Sequence, residues 1–429
     1  MTEYWCEHAW LPSGVRTGVL VSATDVVTEV SFVDAPPPGA RRLAGLVLPG
    51  FANAHSHAFH RALRGRTHAD GGTFWTWRTA MYRLAARLDP DNYLRLARAV
   101  YAEMAAAGVT CVGEFHYVHH PAGGGRYADP NAMGEALRQA AADAGIRITL
   151  LDTCYLAGGI DTPLAPEQAR FSDGSVEAWA SRIAEQRDTS HARAGAAIHS
   201  VRAVPRADLP AVVEAAGERP LHVHLSEQPA ENEACRLAYG ATPAELLHEA
   251  GALTARTTAV HATHLSTKDI QLLGGAGTGA CFCPTTEADL ADGIGPAREL
   301  ADAGAPLSLG SDQHAVIDPL LEARALEHGE RLRTGRRGRF TPAELVAALT
   351  NHASLGWPSA GRLEVGAPAD LVAVDLSSPR TAGSLPAQAV LAATAADVRT
   401  VVASGRIIAS DGRHELLDDL GPAIEELWA

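Results

Sequence analysis

Residues 45–57 read GLVLPGFANAHSH. An apolar run reaches a Pro-Gly pair, continues, and ends in two histidines one residue apart, with His60 three positions on. Apolar runs do not ordinarily end in clustered imidazoles. In an extended strand His55 and His57 point to the same face, with Cα atoms about 7 Å apart. Both rings can then hold a single divalent cation. A third imidazole and a carboxylate from elsewhere would complete an N/O shell suited to Zn²⁺ or Fe²⁺, with one position left for water. A lone His-x-His is weak evidence, so the reading rests on whether the rest of the chain repeats the pattern.

It does. Further apolar runs lie at 109–117, 147–155, 194–201, 221–227, 258–264, 279–284 and 306–312. Stretches of helical period separate or follow them at 90–107, 131–144, 176–187, 207–217, 242–251, 266–274, 296–303, 318–333 and 341–350. Eight strands, each followed by a helix, within about 300 residues predict an α/β fold of the (β/α)8, TIM-like barrel type. An open doubly wound sheet would want a Gly-rich phosphate loop after the first strand, and GFANAH is not one. Polar residues gather at the ends of the runs: His55 and His57, Glu114 and His116, His199 and Arg202, His222, His224 and Glu227, His261 and His264, Asp312 and His314. In a barrel all those ends open on one face, so residues 250 positions apart can meet. His224 and Asp312 are the natural completers of the metal shell begun by His55 and His57.

The chain ends have a different rhythm. Short β-branched runs with turns fill 1–48, and ADLVAVDL (369–376) and VRTVVASGRII (398–408) continue the pattern. Both ends thus read as strand-rich segments on either side of the alternating strand–helix region.

Composition sets the outer limits. With 429 residues, 46% hydrophobic and 20% charged, the chain can bury a large core. No run of 18 apolar residues suggests a membrane span, and the N-terminal stretch MTEYWCEHAW does not read as a signal peptide. A net charge of −14 argues against nucleic-acid or anionic-membrane partners. The six cysteines form no CxxC and read as reduced thiols of a cytoplasmic protein. Lys268 is the single lysine, which removes most lysine chemistry.

The chemistry then follows. A divalent cation lowers the pKa of a coordinated water toward neutrality. Asp312 can ligate the cation and accept from that water. Glu227, one turn beyond His224, can take the water's proton and deliver it to a leaving nitrogen. His261 can polarise substrate or stabilise developing charge. His222 and His264 have weaker claims. Arg78, framed by Trp77 and Tyr82, and Arg202, past a strand end, suit carboxylate recognition.

LPGFANAHSH, HVHLSE, VHATH, LGSDQH and GRLEVGAPADLVAVDL together resemble the amidohydrolase superfamily, over nearly the whole chain, and the resemblance implies a composite β-sandwich domain from 1–48 and 362–429 around a catalytic barrel of 49–361. Its two-metal members use a bridging lysine from strand four, which this chain lacks. The resemblance therefore points to the mononuclear aminohydrolase branch, with one divalent metal per subunit, zinc first and iron as the alternative, held by His55, His57, His224 and Asp312. FWTWR, MYR, EFHYVHH and HSVRAV narrow the resemblance to the N-formimino-L-glutamate deiminases of histidine degradation. That likeness implies a small acidic amino-acid-derived substrate held by His60, Arg78, Tyr117, His199 and Arg202, and a homodimer. One departure stands out: the family pattern carries Gln where this chain has His60. The competing enzyme reading is deamination of a guanidino acid, purine or pterin.

Overall fold

The structure is a computed structural model that describes residues 1–68 and 74–429. The eight expected runs form a parallel eight-stranded sheet: β5 (Phe51–Ser56), β6 (Val109–His116), β7 (Arg147–Cys154), β8 (Ala192–Ile198), β9 (Leu221–Leu225), β10 (Thr257–His261), β11 (Gly279–Phe282) and β12 (Leu307–Leu309), neighbours in that order. The ends of β12 and β5 meet: Ser311 and Asp312 donate their backbone N–H groups to His55 O, both at 3.0 Å, and His57 N donates to Asp312 O at 3.2 Å. The sheet thus closes on itself. Its inward side chains near the closed end are small, Ala52, Ala54, Cys111, Val260, Cys281 and Cys283, and they leave room for Leu355 and Trp357 to plug it.

The chain ends form one seven-stranded sheet, ordered β15–β14–β13–β4–β1–β2–β3. Its strands are β1 (Thr2–Leu11), β2 (Gly14–Ala23), β3 (Val27–Phe32), β4 (Arg41–Pro49), β13 (Leu371–Val374), β14 (Val398–Ala403) and β15 (Arg406–Ser410). The opening run is therefore not one strand. It divides at Gly50, with β4 in this sheet and β5 in the barrel. A Cβ at Gly50 would lie 2.3 Å from Thr110 Oγ1 and 2.8 Å from Asp370 Cβ, so only glycine passes between the two bodies. The tail, read from sequence as strand-like, ends instead in a helix, Leu420–Trp428. It packs on the barrel helix Pro90–Ala106: Leu427 joins that apolar cluster and Trp428 Nε1 donates to Ala62 O at 2.9 Å.

Beside Gly50, Arg147 at the start of β7 pairs with Asp370, which also accepts from Ser404 N. Both are almost fully buried. Burial opposes the charge on Asp370, but the guanidinium outweighs it and holds the carboxyl below its ordinary range. Removing one partner of a buried pair strands the other charge. Asp370→Ala is expected to lower unfolding free energy by about 3–5 kcal/mol in urea titration; a midpoint equal to wild type would show that the pair does not brace the junction.

Candidate metal centre and its cavity

The ends of β5, β9, β10 and β12 converge on one buried cluster. His55 Nε2 lies 3.3 Å from Asp312 Oδ1 and 3.1 Å from His224 Nε2; His57 Nε2 lies 3.4 Å from Asp312 Oδ1. His55, His57 and Asp312 form one group able to hold a cation, and His55, His224 and His261 form another sharing His55. The backbone bends hard to achieve this. Ser226, His261, Ala262, Asp312 and His314 all have positive φ, between 41° and 67°. L-residues rarely adopt that region, and such strain collects where side chains must be aimed.

The donors fit a divalent cation. Burial, and then neighbouring imidazoles, hold His55 and His224 well below the ordinary histidine range, and burial chiefly lowers His57 to about 3. All three rings are neutral and offer lone pairs. His57 Nδ1 donates to Phe115 O at 2.8 Å and His224 Nδ1 to His199 O at 2.9 Å, which turns each Nε2 to the centre. Lys268, the only lysine, is exposed and ion-paired with Glu245, away from this cluster.

Glu227 and His261 flank the donors. His261 Nε2 is 3.8 Å from Glu227 Oε1 and 3.9 Å from Asp312 Oδ2. Burial alone would lower His261; Glu227, Glu287 and Asp312 outweigh it and raise the imidazole to about 10. Glu227 does not stand one helical turn beyond His224 as expected. The chain there is irregular, and the left-handed Ser226 swings the carboxylate back. Glu287 was missed by sequence reading. It lies in the short helix Pro284–Asp289 after β11, with Oε1 3.5 Å from His261 Nδ1.

Outward from the cluster runs a cavity of about 340 Å³, lined by His57, His60, Arg78, Tyr117, His199, Arg202, Glu227, His261 and Asp312 among others. All five expected substrate contacts thus line one space with the metal-site residues. His60 donates or accepts with Tyr117 Oη at 2.9 Å through Nε2 and has no partner at Nδ1. Arg78 Nε donates to Tyr82 Oη at 2.6 Å. Gly72 and Thr73, which precede the aromatic stretch around Arg78, lie outside the described residues. Arg202 is not idle: its guanidinium reaches Glu227 Oε2 at 3.3 Å and Glu231 Oε1 at 3.8 Å.

Other histidines turn elsewhere. His222 Nε2 ends on Ser354 O and His264 Nε2 on Asp292 O. The three histidines around Tyr117 do not line the cavity. His116 and His119 group with Asp152, and His120 pairs with Asp173. The Arg182 guanidinium bridges both aspartates, at 2.6 and 2.8 Å, and already fills the place a cation would take beside Asp152.

This fold and donor set define a metal-dependent hydrolase, and the chain belongs to the amidohydrolase family, whose match spans residues 46–408. It is 39% identical to a formimidoylglutamate deiminase of Pseudomonas aeruginosa, covering 96% of each chain. An 8-oxoguanine deaminase of the same organism is 30% identical over 87% of this chain and 84% of its own. Among solved structures, an amidohydrolase of Brucella melitensis superimposes with a TM-score of 0.93 at 32% identity, covering 100% of each chain.

His224→Ala removes one donor and leaves a void that no other imidazole fills. Metal analysis of the purified variant is expected to fall well below the about one ion per chain of a single catalytic site; full loading would exclude His224 from the shell.

Proposed function

We propose that the protein hydrolyses N-formimino-L-glutamate to N-formyl-L-glutamate and ammonia. The observation that carries this reading is one cavity with a His/Asp donor cluster and Glu227 at its inner end and Arg78 and Arg202 along its wall. The 39% identity to a formimidoylglutamate deiminase supports it. His55, His57, His224 and Asp312 would hold one divalent cation, for which zinc is the first choice and iron the alternative. When bound, the cation supplies the acidity that makes a water reactive near neutral pH.

The residues divide the rest of the work. Asp312 orients the attacking water through its second carboxylate oxygen. Glu227 takes the water's proton and hands it to the departing nitrogen, since an amide anion cannot leave unprotonated. The water oxygen bonds to the formimino carbon as its C=N bond becomes single and that nitrogen takes the first proton; the new hydroxyl then gives up its proton, again by way of Glu227, to the same nitrogen as the C=O forms, the C–N bond breaks and ammonia departs. His261, held by Glu287, faces the charge that develops at that carbon. His60, Arg78, Tyr117, His199 and Arg202 bind the glutamate portion, with the guanidinium forks suited to its carboxylates. Arg202 leans on Glu227; a substrate carboxylate would offer it another partner and leave Glu227 to the proton. His60 replaces the family's Gln without changing the substrate.

We further place the protein in histidine degradation, in the cytoplasm, as a homodimer with no nucleic-acid or membrane partner. Among the described residues no helix is long and apolar enough to cross a membrane, and the six cysteines are free and buried.

Ammonia release from N-formimino-L-glutamate, guanine and a guanidino acid tests the reading. Turnover of the first is expected; turnover of another without the first would reassign the substrate. Glu227→Gln is expected to cut kcat by about 10²- to 10⁴-fold with metal content unchanged, and retained activity would remove Glu227 from the proton path.

A further inference from the structure

Behind one wall of the cavity lies Gln168, in the short 3-10 helix Pro166–Phe171. No sequence motif drew attention to it. It is 1% exposed. Its Oε1 accepts from Ala165 N at 2.8 Å. A backbone N–H can only donate, so the amide has one permitted orientation, with its NH2 group facing the cavity wall. That group donates to Tyr155 Oη at 2.7 Å and to Tyr82 Oη at 3.0 Å. Tyr82 Oη also receives the Arg78 Nε–H. Toward the protein, therefore, both phenol oxygens are acceptors. Tyr155 thus has its proton to give on the cavity side, where Tyr82 Oη also stands within interaction range.

Tyr155 lines the cavity beside His199 and Arg202. Its ring is wedged edge-on against His199, 4.5 Å between centroids, and against Phe171 at 5.6 Å, so the hydroxyl has a fixed aim. Burial, and after it the neighbouring Tyr82, holds the phenol above its ordinary range and so keeps it neutral, against the pull of the positive charges of Arg78 and Arg202, which both reach it. A committed O–H donor in the field of two guanidinium groups is complementary to an anionic oxygen.

We propose that Tyr155 is a substrate-binding residue whose hydroxyl donates to a carboxylate of the substrate, and that Gln168 is the positioning residue that sets this polarity by occupying the phenol oxygen from behind. The proposal rests on the deiminase reading for the identity of the substrate, but the donor polarity belongs to the site itself. Gln168→Glu is nearly isosteric and inverts the polarity. One carboxylate oxygen still accepts from Ala165 N, and the other accepts the tyrosine proton that the substrate would otherwise receive.

Steady-state kinetics on N-formimino-L-glutamate test this. Tyr155→Phe is expected to raise KM about tenfold or more, as for loss of a hydrogen bond to a charged group, with kcat and melting temperature near wild type. Gln168→Glu should raise KM similarly although Tyr155 is intact, and the double variant should be no worse than either single one. An unchanged KM in Tyr155→Phe, or additive effects in the double variant, would overturn the proposal. Calorimetric titration with glutarate separates the two readings. If the wild type releases no ammonia from the substrate, the proposed function fails. Glutarate affinity then still decides Tyr155: weaker binding in Tyr155→Phe supports it, and equal binding, or no binding to the wild type, refutes it.

Discussion

The carbonyl of His55 accepts two backbone N–H groups, from Ser311 and Asp312. The rest of the molecule is organised around that contact. It joins the last barrel strand to the first, and without it the sheet would keep two open edges. The same contact sets the distance between His55, His57 and Asp312. Barrel closure and assembly of the donor cluster are thus one event. The positive φ angles at Asp312 and His314 are part of it, because the chain must turn sharply to return a carboxylate toward the strand it has just met.

A second layer supports the first strand from outside. Glu114 on β6 is fully buried and accepts from Ser56 Oγ at 2.7 Å and Ala58 N at 2.6 Å. Burial raises its pKa to about 7 against the pull of those donors. Ser56 in turn contacts His314 Nε2 at 2.9 Å. The residue between His55 and His57 thus ties β5 to both its neighbours. Farther out, Arg182 locks Asp152 and Asp173 beneath the loop that carries Tyr117. These polar groups face no substrate, yet they fix what does.

Much of this was legible in the sequence, for identifiable reasons. Parallel barrel strands are buried on both faces, so they stand out as apolar runs, and polar residues at their ends mark the open face. All eight runs contain a strand, and of the residues named as ligands or substrate contacts all but His55 line one cavity. What escaped notice lacked that signal. The break at Gly50 is set by crowding against Thr110 and Asp370, residues distant in sequence. The helix Phe74–Ala85 sits in a stretch read for side-chain chemistry, Leu420–Trp428 in a strand-like tail, and Pro229–Tyr239 in a stretch given no element from sequence. Glu287 and Gln168 act through histidine and tyrosine, so only the folded arrangement reveals them. The histidines near Tyr117 looked chemical because clustered imidazoles often are; an arginine from far along the chain makes them structural instead.

The six buried cysteines have a practical corollary. They are spread over the end sheet at Cys6, over β6, β7 and β11, just past β11 at Cys283, and over the helix that follows β9. Burial pushes the Cys6 and Cys111 thiols up to about 12, so they resist attack in the closed protein. A thiol reagent in native buffer would therefore modify each sulfur only when its surroundings open. The chain carries its own set of opening reporters, and mass-resolved labelling rates would show in what order its two sheets come apart.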